Sequence, residues 1–223
     1  MELRFSRNIP TLTPAEQARL GEKHVLLAGC GGLGGYLLEL LLRAGVGAVT
    51  AVDGDRFEES NLNRQALCTA ETLGRPKAQC AQERAKLLRP DVRFRAVAAV
   101  LTAENAPELL RTCDLALDAL DSAEARLMLA DACADAGIPL VHGAVSGFCM
   151  QAAVIPPGSD LLRRIYAAAP EAPGKSVVAP APALCAAVQA AEAIRLLCGR
   201  PAALAGRMLW ADLETMEFQT VAL

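Results

Sequence analysis

A chain of 223 residues with 53% hydrophobic content carries enough apolar mass for a sizeable core, which excludes an intrinsically disordered protein and predicts one domain with an appendage. The 22 basic and 25 acidic residues give a net charge of −3 without a long run of either sign, so the electrostatic footprint of a nucleic-acid binder is absent. The start, "MELRFSRN", lacks the apolar core of a signal peptide, and the most apolar stretch, "YLLELLLRAGVGAVTAV", is broken by Glu39, Arg43 and two glycines. A soluble, cytoplasmic protein with no membrane association is expected.

In chain order, a polar arm with Arg4 and Arg7 precedes "TPAEQARL", where Thr13 can cap a short helix that opens on Pro14. "HVLLAG" (24–29) predicts a strand, "GYLLELLLRAG" a buried helix and "AVTAVD" (48–53) a second strand: a βαβ unit. The segment 75–90, "RPKAQCAQERAKLLRP", reads as a helix bounded by two prolines, and "VRFRAVA" alternates as a strand does. Helix "TAENAPELLRT", strand "DLALDAL", helix "SAEARLMLADACADAG" and strand "IPLVHGAV" continue the alternation. The pattern predicts an α/β fold: a Rossmann-like, mostly parallel sheet with helices on both faces.

After residue 147 the pattern changes. "FCMQAAVIPPG" reads as one more strand, residues 159–182 as a Pro/Ala-rich, mobile crossover loop with at most one helical turn, and "ALCAAVQAAEAIRLLCG" as a strong helix. The chain closes with two short antiparallel strands around "DLET". The eight cysteines, at 30, 68, 80, 113, 133, 149, 185 and 198, include no C-x-x-C pair and are expected to be small buried hydrophobes in a reducing compartment.

Gly29, Gly31 and Gly34 in "GCGGLG" match G-x-G-x-x-G between a strand and a helix, a turn whose backbone N–H groups face phosphate oxygens. Asp53 ends the second strand, where a carboxylate accepts hydrogen bonds from a ribose hydroxyl. These features alone fit any adenine nucleotide, NAD included. The run "DGDRFEESNLNRQ" (53–65) favours ATP, whose γ-phosphate wants cations and a Mg²⁺ carboxylate: Arg64, Lys77 and Asp121 lie near the carboxyl edge where such sheets bind ligands. Solvated surface charge is the plainer alternative for Arg64 and Lys77.

"GCGGLG", "DGD", "SNLNRQ", "GRPKAQ" and "DALDS", in this order and spacing, resemble the MoeB/ThiF/HesA family of ubiquitin-activating-enzyme-like adenylyltransferases, from "RFSRN" to "QAAEAIRLL". The resemblance implies a single adenylation domain over 1–223: an amino-terminal arm and helix (1–23), a nucleotide-binding half (24–147) and a carrier-binding and dimer half (148–223). It implies ATP and Mg²⁺ as reagents and, as partner, a small ubiquitin-fold sulfur carrier ending in Gly-Gly, whose carboxylate becomes an acyl-adenylate for thiamine, molybdopterin or tungstopterin synthesis. By the same resemblance Gly32 approaches the nucleotide and Asp53 holds the ribose, while Asn61, Arg64 and Lys77 contact phosphates. Asp55, Gln65 and Ser122 complete the nucleotide site, Asp121 is the Mg²⁺-associated carboxylate, and Arg7 reaches the active site of the other subunit of a homodimer.

The two C-x-x-C pairs through which many members bind zinc are missing, so no zinc site is expected, and residues 165–184 hold no thiol. Cys185 is read chiefly as a buried helix position, His142 and His24 as structural, and Trp210 as a core residue, with the terminal hairpin as a possible edge for a β-grasp partner. Three other readings stay open: a tRNA threonylcarbamoyladenosine dehydratase-like enzyme, an NAD(P)-dependent oxidoreductase and a silent scaffold.

Overall fold

The computed structural model describes residues 2–168 and 176–222. Eight strands form one sheet in the order β3-β2-β1-β4-β5-β6-β7-β8. The parallel part holds β1 (His24–Ala28), β2 (Ala48–Val52), β3 (Arg93–Val97), β4 (Leu115–Asp118) and β5 (Leu140–Ser146). β6 (Cys149–Ile155), β7 (Arg207–Asp212) and β8 (Glu217–Ala222) extend it antiparallel. Strand order reverses between β1 and β4, and the crevice at such a reversal is where open α/β sheets bind ligands.

Side chains alternate across a strand, and β1 sorts its residues accordingly. Val25 and Leu27 join the core beneath α2 (Gly32–Ala44), α3 (Lys77–Leu88) and α7 (Pro180–Leu197), whereas Leu26 and Ala28 join the opposite core. That second layer is α4 (Ala106–Leu110), α5 (Ala123–Ala136) and α6 (Leu161–Ala168). α2 is apolar nearly all round because Leu37, Leu38, Leu41 and Leu42 are enclosed between sheet and α7. Gly45 and Gly137 end α2 and α5 at φ +110° and +69°, the left-handed cap that glycine adopts without a Cβ penalty.

Three local expectations are corrected. The polar arm is a 3-10 helix, Leu3–Asn8, fixed by burial of Phe5 under the Arg89 guanidinium, 5.1 Å from the ring centroid. The start of the Pro/Ala segment is a full helix, α6, because Leu161, Leu162 and Ile165 form one buried stripe on α5; residues 169–175 of the expected mobile loop lie outside the described residues. Trp210 belongs to neither core cluster and is half-buried in the ladder between Gln151 and Gln219. β8, by contrast, is an exposed edge strand, as the hairpin reading has it. Seven cysteines are buried and Cys149 partly so.

The helix α1 (Pro14–Glu22) opens with the expected cap, and its Glu16 links both ends of the chain. The Arg200 guanidinium donates to both Glu16 oxygens, at 2.6 and 2.8 Å, while the Thr13 N–H donates to Oε2 at 2.8 Å. Arg200 first, then the Thr13 bonds, lower the Glu16 carboxyl from 4.5 to about 2. A lowered carboxyl contributes stability above its ordinary value that is lost as pH falls through the folded one. Glu16→Gln is therefore expected to be less stable than the parent at neutral pH, with the gap closing between about pH 4.5 and 2. Urea melts followed by circular dichroism at several pH values measure that gap, and a gap independent of pH contradicts the assignment.

Candidate active site

The glycine turn is built by exclusion. A Cβ on Gly34 would stand 2.0 Å from the Gly29 carbonyl oxygen, and one on Gly29, at φ +99°, would stand 2.5 Å from the Ala119 carbonyl oxygen. Only glycines let β1, the first turn of α2 and the exit of β4 approach this closely. Asp53 then locks the turn: its Oδ2 accepts from the Cys30 N–H at 2.7 Å and its Oδ1 from the Asp55 N–H at 2.8 Å. Burial raises the Asp53 carboxyl, and the two backbone bonds pull it the other way. α2 starts after Gly31 with no side-chain cap, leaving its first N–H groups to an anion.

The run 58–65 folds over this turn. A Cβ on Gly32 would lie 3.9 Å from Arg64 Cγ and 3.7 Å from Pro182 Cβ, and one on Gly31 would lie 3.6 Å from Gln65 Oε1. The glycines thus leave a cradle, and the buried Gln65 Oε1 has no hydrogen-bond partner among the described residues. Arg64 Nη1 donates to the Ser60 carbonyl at 3.1 Å and to Asn63 Oδ1 at 2.8 Å. Asn61 is buried and serves the loop itself: its Oδ1 accepts from the Glu58 N–H at 3.2 Å and its Nδ2 donates to Ser60 Oγ at 3.3 Å. Lys77, the first residue of α3, is buried, and its Nζ donates to the exposed Asp55 carboxylate at 3.0 Å.

Asp121 is exposed just beyond β4, and the Ser122 hydroxyl caps α5 by accepting from the Ala125 N–H at 3.2 Å. The structure therefore gathers the glycine turn, Asp53, Asp55, Asn61, Arg64, Gln65 and Lys77, with Asp121 and Ser122 on the neighbouring loop of the same edge. Arg7 does not join them. It is exposed on the 3-10 helix that packs at the far end of α2, where Asn8 Nδ2 donates to the Ala44 carbonyl, one helix length or about 20 Å from the turn.

Sequence reasoning missed the support beneath the β4 exit. Asp118 is fully buried: Oδ1 accepts from the Leu120 N–H at 3.0 Å and Oδ2 from His142 Nδ1 at 2.7 Å. A carboxylate only accepts, so Nδ1 carries the ring proton and Nε2 accepts from Gln151 Nε2 at 3.2 Å. His142 is thus structural, as expected, although it lies inside β5 and not at a strand end, and His24 is likewise structural, between Thr50 Oγ1 and the Thr112 carbonyl. Arg126 donates to the Leu120 carbonyl at 2.6 Å and the Tyr166 hydroxyl at 2.7 Å, and Gln189 Nε2 donates to the Asp118 carbonyl at 2.8 Å. The available signal was a polar residue at an otherwise apolar position, as at Gln189 in "AAVQAAEAI".

A model of the ThiF family matches residues 5–223. The chain belongs to the ThiF family. The enzyme class that goes with this membership is that of the adenylyltransferases. Among curated ThiF-family relatives, the SAMP-activating enzyme E1 of Haloferax volcanii is 37% identical over 98% of this chain and 84% of its own length. The sulfur carrier protein adenylyltransferase of Thermus thermophilus is 38% identical over 95% and 82%. Escherichia coli MccB, solved with succinimide, superposes with a TM-score of 0.84 at 17% identity over 99% of this chain and 72% of that one, which shows the shared fold.

In this site the donor set fits the phosphates of a nucleotide: an uncapped helix start, a glycine cradle and two cations. No helix among the described residues is long and apolar enough to cross a membrane, and no group of three or more His, Cys, Asp or Glu side chains among them is placed to share a metal ion.

The buried support predicts non-additive energetics. His142→Ala leaves the Asp118 carboxylate short of a charged hydrogen bond and is expected to cost about 2–3 kcal/mol. Because the two side chains share that bond, the double variant Asp118→Ala/His142→Ala is expected to lose less than the sum of the single losses. Urea denaturation of the four proteins checks this, and strict additivity would remove the pair from the support.

Proposed function

We propose that this ThiF-family chain activates the C-terminal glycine carboxylate of a small ubiquitin-fold sulfur carrier ending in Gly-Gly, using ATP and releasing pyrophosphate, as a homodimer. The observation that carries the reading is the run 58–65 closed over the glycine turn, which sets Arg64 beside Gly32, with the buried Lys77 tied to the same stretch through Asp55. A dinucleotide needs no such pair of cations, whereas a triphosphate does. The named substrates of the Thermus thermophilus relative and of the ThiS adenylyltransferase of Bacillus subtilis, 34% identical over 88% of this chain and 61% of that protein, support a sulfur carrier as acceptor. MccB, with the same fold, has been solved with ATP. Thiamine and molybdopterin or tungstopterin synthesis are the pathways such a carrier serves, and residues 148–223 are the carrier-binding and dimer half.

The chemistry follows from the charges. A carrier carboxylate oxygen forms a bond to the α-phosphorus, the bond from that phosphorus to the bridging oxygen of the β-phosphate breaks, and pyrophosphate leaves with the electron pair. No protein nucleophile or general base takes part. Asp53 orients the ribose, the α2 start and Gly32 admit the phosphates, and Arg64 and Lys77 offset charge as it builds on them. Mg²⁺, held through Asp121, would supply the remaining neutralisation of the leaving pyrophosphate.

Arg64→Ala is expected to lower carrier-dependent ATP–pyrophosphate exchange about 100- to 1,000-fold with a melting temperature close to the parent's. A large fall in melting temperature with retained exchange would make Arg64 structural instead. Asp121→Ala is expected to raise the Mg²⁺ concentration needed for half-maximal exchange; an unchanged Mg²⁺ profile removes Asp121 from that role.

The homodimer reading has its own test. Arg7→Ala acts in trans and Arg64→Ala in cis, so re-equilibrated equal mixtures of the two inactive proteins are expected to recover about a quarter of the parental activity. Mixtures that stay inactive while exchanging subunits would place Arg7 outside the active site of the opposite subunit.

A further inference from the structure

Beside Arg64 stands a residue that the nucleotide reading does not use. Asn63 is exposed, yet both ends of its side-chain amide are engaged. Its Oδ1 accepts from Arg64 Nη1 at 2.8 Å, and its Nδ2 donates to the Val177 carbonyl at 3.1 Å. Residues 176–178 lead into α7 and are bound on the other side by the backbone of Gly147, whose N–H donates to the Ser176 carbonyl at 2.7 Å and whose carbonyl accepts from the Val178 N–H at 3.3 Å, while the Ala181 N–H donates to the Val178 carbonyl at 3.1 Å. Among the described residues, the Asn63 bond is the one side-chain hydrogen bond to this backbone. Four residues beyond Val178, α7 sets Pro182 against the same Gly32 that faces Arg64.

We propose that Asn63 is a positioning residue: its amide holds the Arg64 guanidinium and the 176–178 backbone in one register, so that the phosphate cation and the strand entering α7 are placed together. The inference rests on the reading that Arg64 meets the triphosphate. A primary amide suits this place because it offers an acceptor to the guanidinium and a donor to the carbonyl at once. A carboxylate can make only the first bond, and an alanine neither. The 176–178 segment has little else to hold it, since Ser176 is exposed and Val177 and Val178 are half-buried, so loss of one bond is expected to show in its local opening. Displacement of a catalytic cation by about 1 Å costs on the order of 100-fold in rate.

The test uses the full chain with N63A and N63D, read by amide hydrogen exchange at Gly147 and Val178, by ATP binding and by carrier-dependent pyrophosphate exchange. N63A is expected to speed exchange at both amides about tenfold and to lower kcat about 10- to 100-fold with a smaller change in the KM for ATP. N63D is expected to speed the amides equally and to bind ATP more weakly than N63A, because its carboxylate neutralises Arg64 and repels the triphosphate. Unchanged amide exchange in N63A overturns the coupling, and faster amide exchange with parental kcat and KM overturns the positioning role. If the parent itself shows no pyrophosphate exchange with any carrier, the proposed acceptor falls. The coupling is then judged on whether ATP alters Val178 exchange in the parent and not in N63D, and equal responses overturn it.

Discussion

One short hydrogen bond sets the geometry of the whole carboxyl edge: the Cys30 N–H to the Asp53 carboxylate, 2.7 Å. It joins the end of β1 to the end of β2 at the height where Gly29 and Gly34 touch, so the turn cannot drift from the sheet. The other Asp53 oxygen takes the Asp55 N–H, and Asp55 takes Lys77. A single carboxylate thereby fixes the turn, the following loop and, one step on, the first residue of α3. Burial raises its proton affinity, and the two N–H donors offset that cost locally. The helix start that faces the edge has no capping side chain.

The same economy governs the cations. Lys77 is buried against an exposed partner, and Arg64 lies on its own loop, donating to Ser60 and Asn63. Lys77 is paired with a carboxylate, whereas the hydrogen bonds of Arg64 among the described residues run to two neutral oxygens. An incoming polyphosphate would add charge-assisted bonds to guanidinium N–H groups beside the Nη1 that Ser60 and Asn63 hold, so Arg64 is placed before its ligand arrives. Arg64 and Lys77 differ in what holds them: backbone and an amide for one, a carboxylate for the other. Charge at the edge therefore answers to the segments that carry Asn63 and Asp55, which ties electrostatics to loop placement.

Much of this was legible in the sequence because it depends on residue types with narrow conformational or chemical roles. "HVLLAG" and "DLALDAL" read as strands buried on both faces, and glycines ended α2 and α5 where a left-handed residue was needed. The glycine turn, Arg64 and Lys77 stood out for the same reason. What escaped was tertiary. α6 buries Leu161, Leu162 and Ile165 in a Pro/Ala-rich setting, and α5 is what makes them a helix face. Asp118, Arg126, Gln151, Tyr166 and Gln189 come from five elements, and no spacing announces their convergence on the β4 exit. Asn63 was passed over beside Asn61 because the two look alike in "NLNR", although one is buried in its own turn and the other reaches 114 residues along the chain.

The cysteines carry the last step of the argument. A thiol acts as nucleophile through its thiolate, which needs an exposed, electropositive setting. Cys30 lies in the glycine turn and Cys185 near the start of α7, and burial pushes both well above the ordinary thiol range. Cys185 Sγ faces the Gln151 carbonyl at 3.4 Å, an acceptor that favours the protonated form. Cys149 is only partly exposed, and burial and then Asp212 raise it too. The edge is furnished for phosphoryl charge, and these three thiols are each held toward the protonated form, away from the thiolate that nucleophilic sulfur chemistry uses.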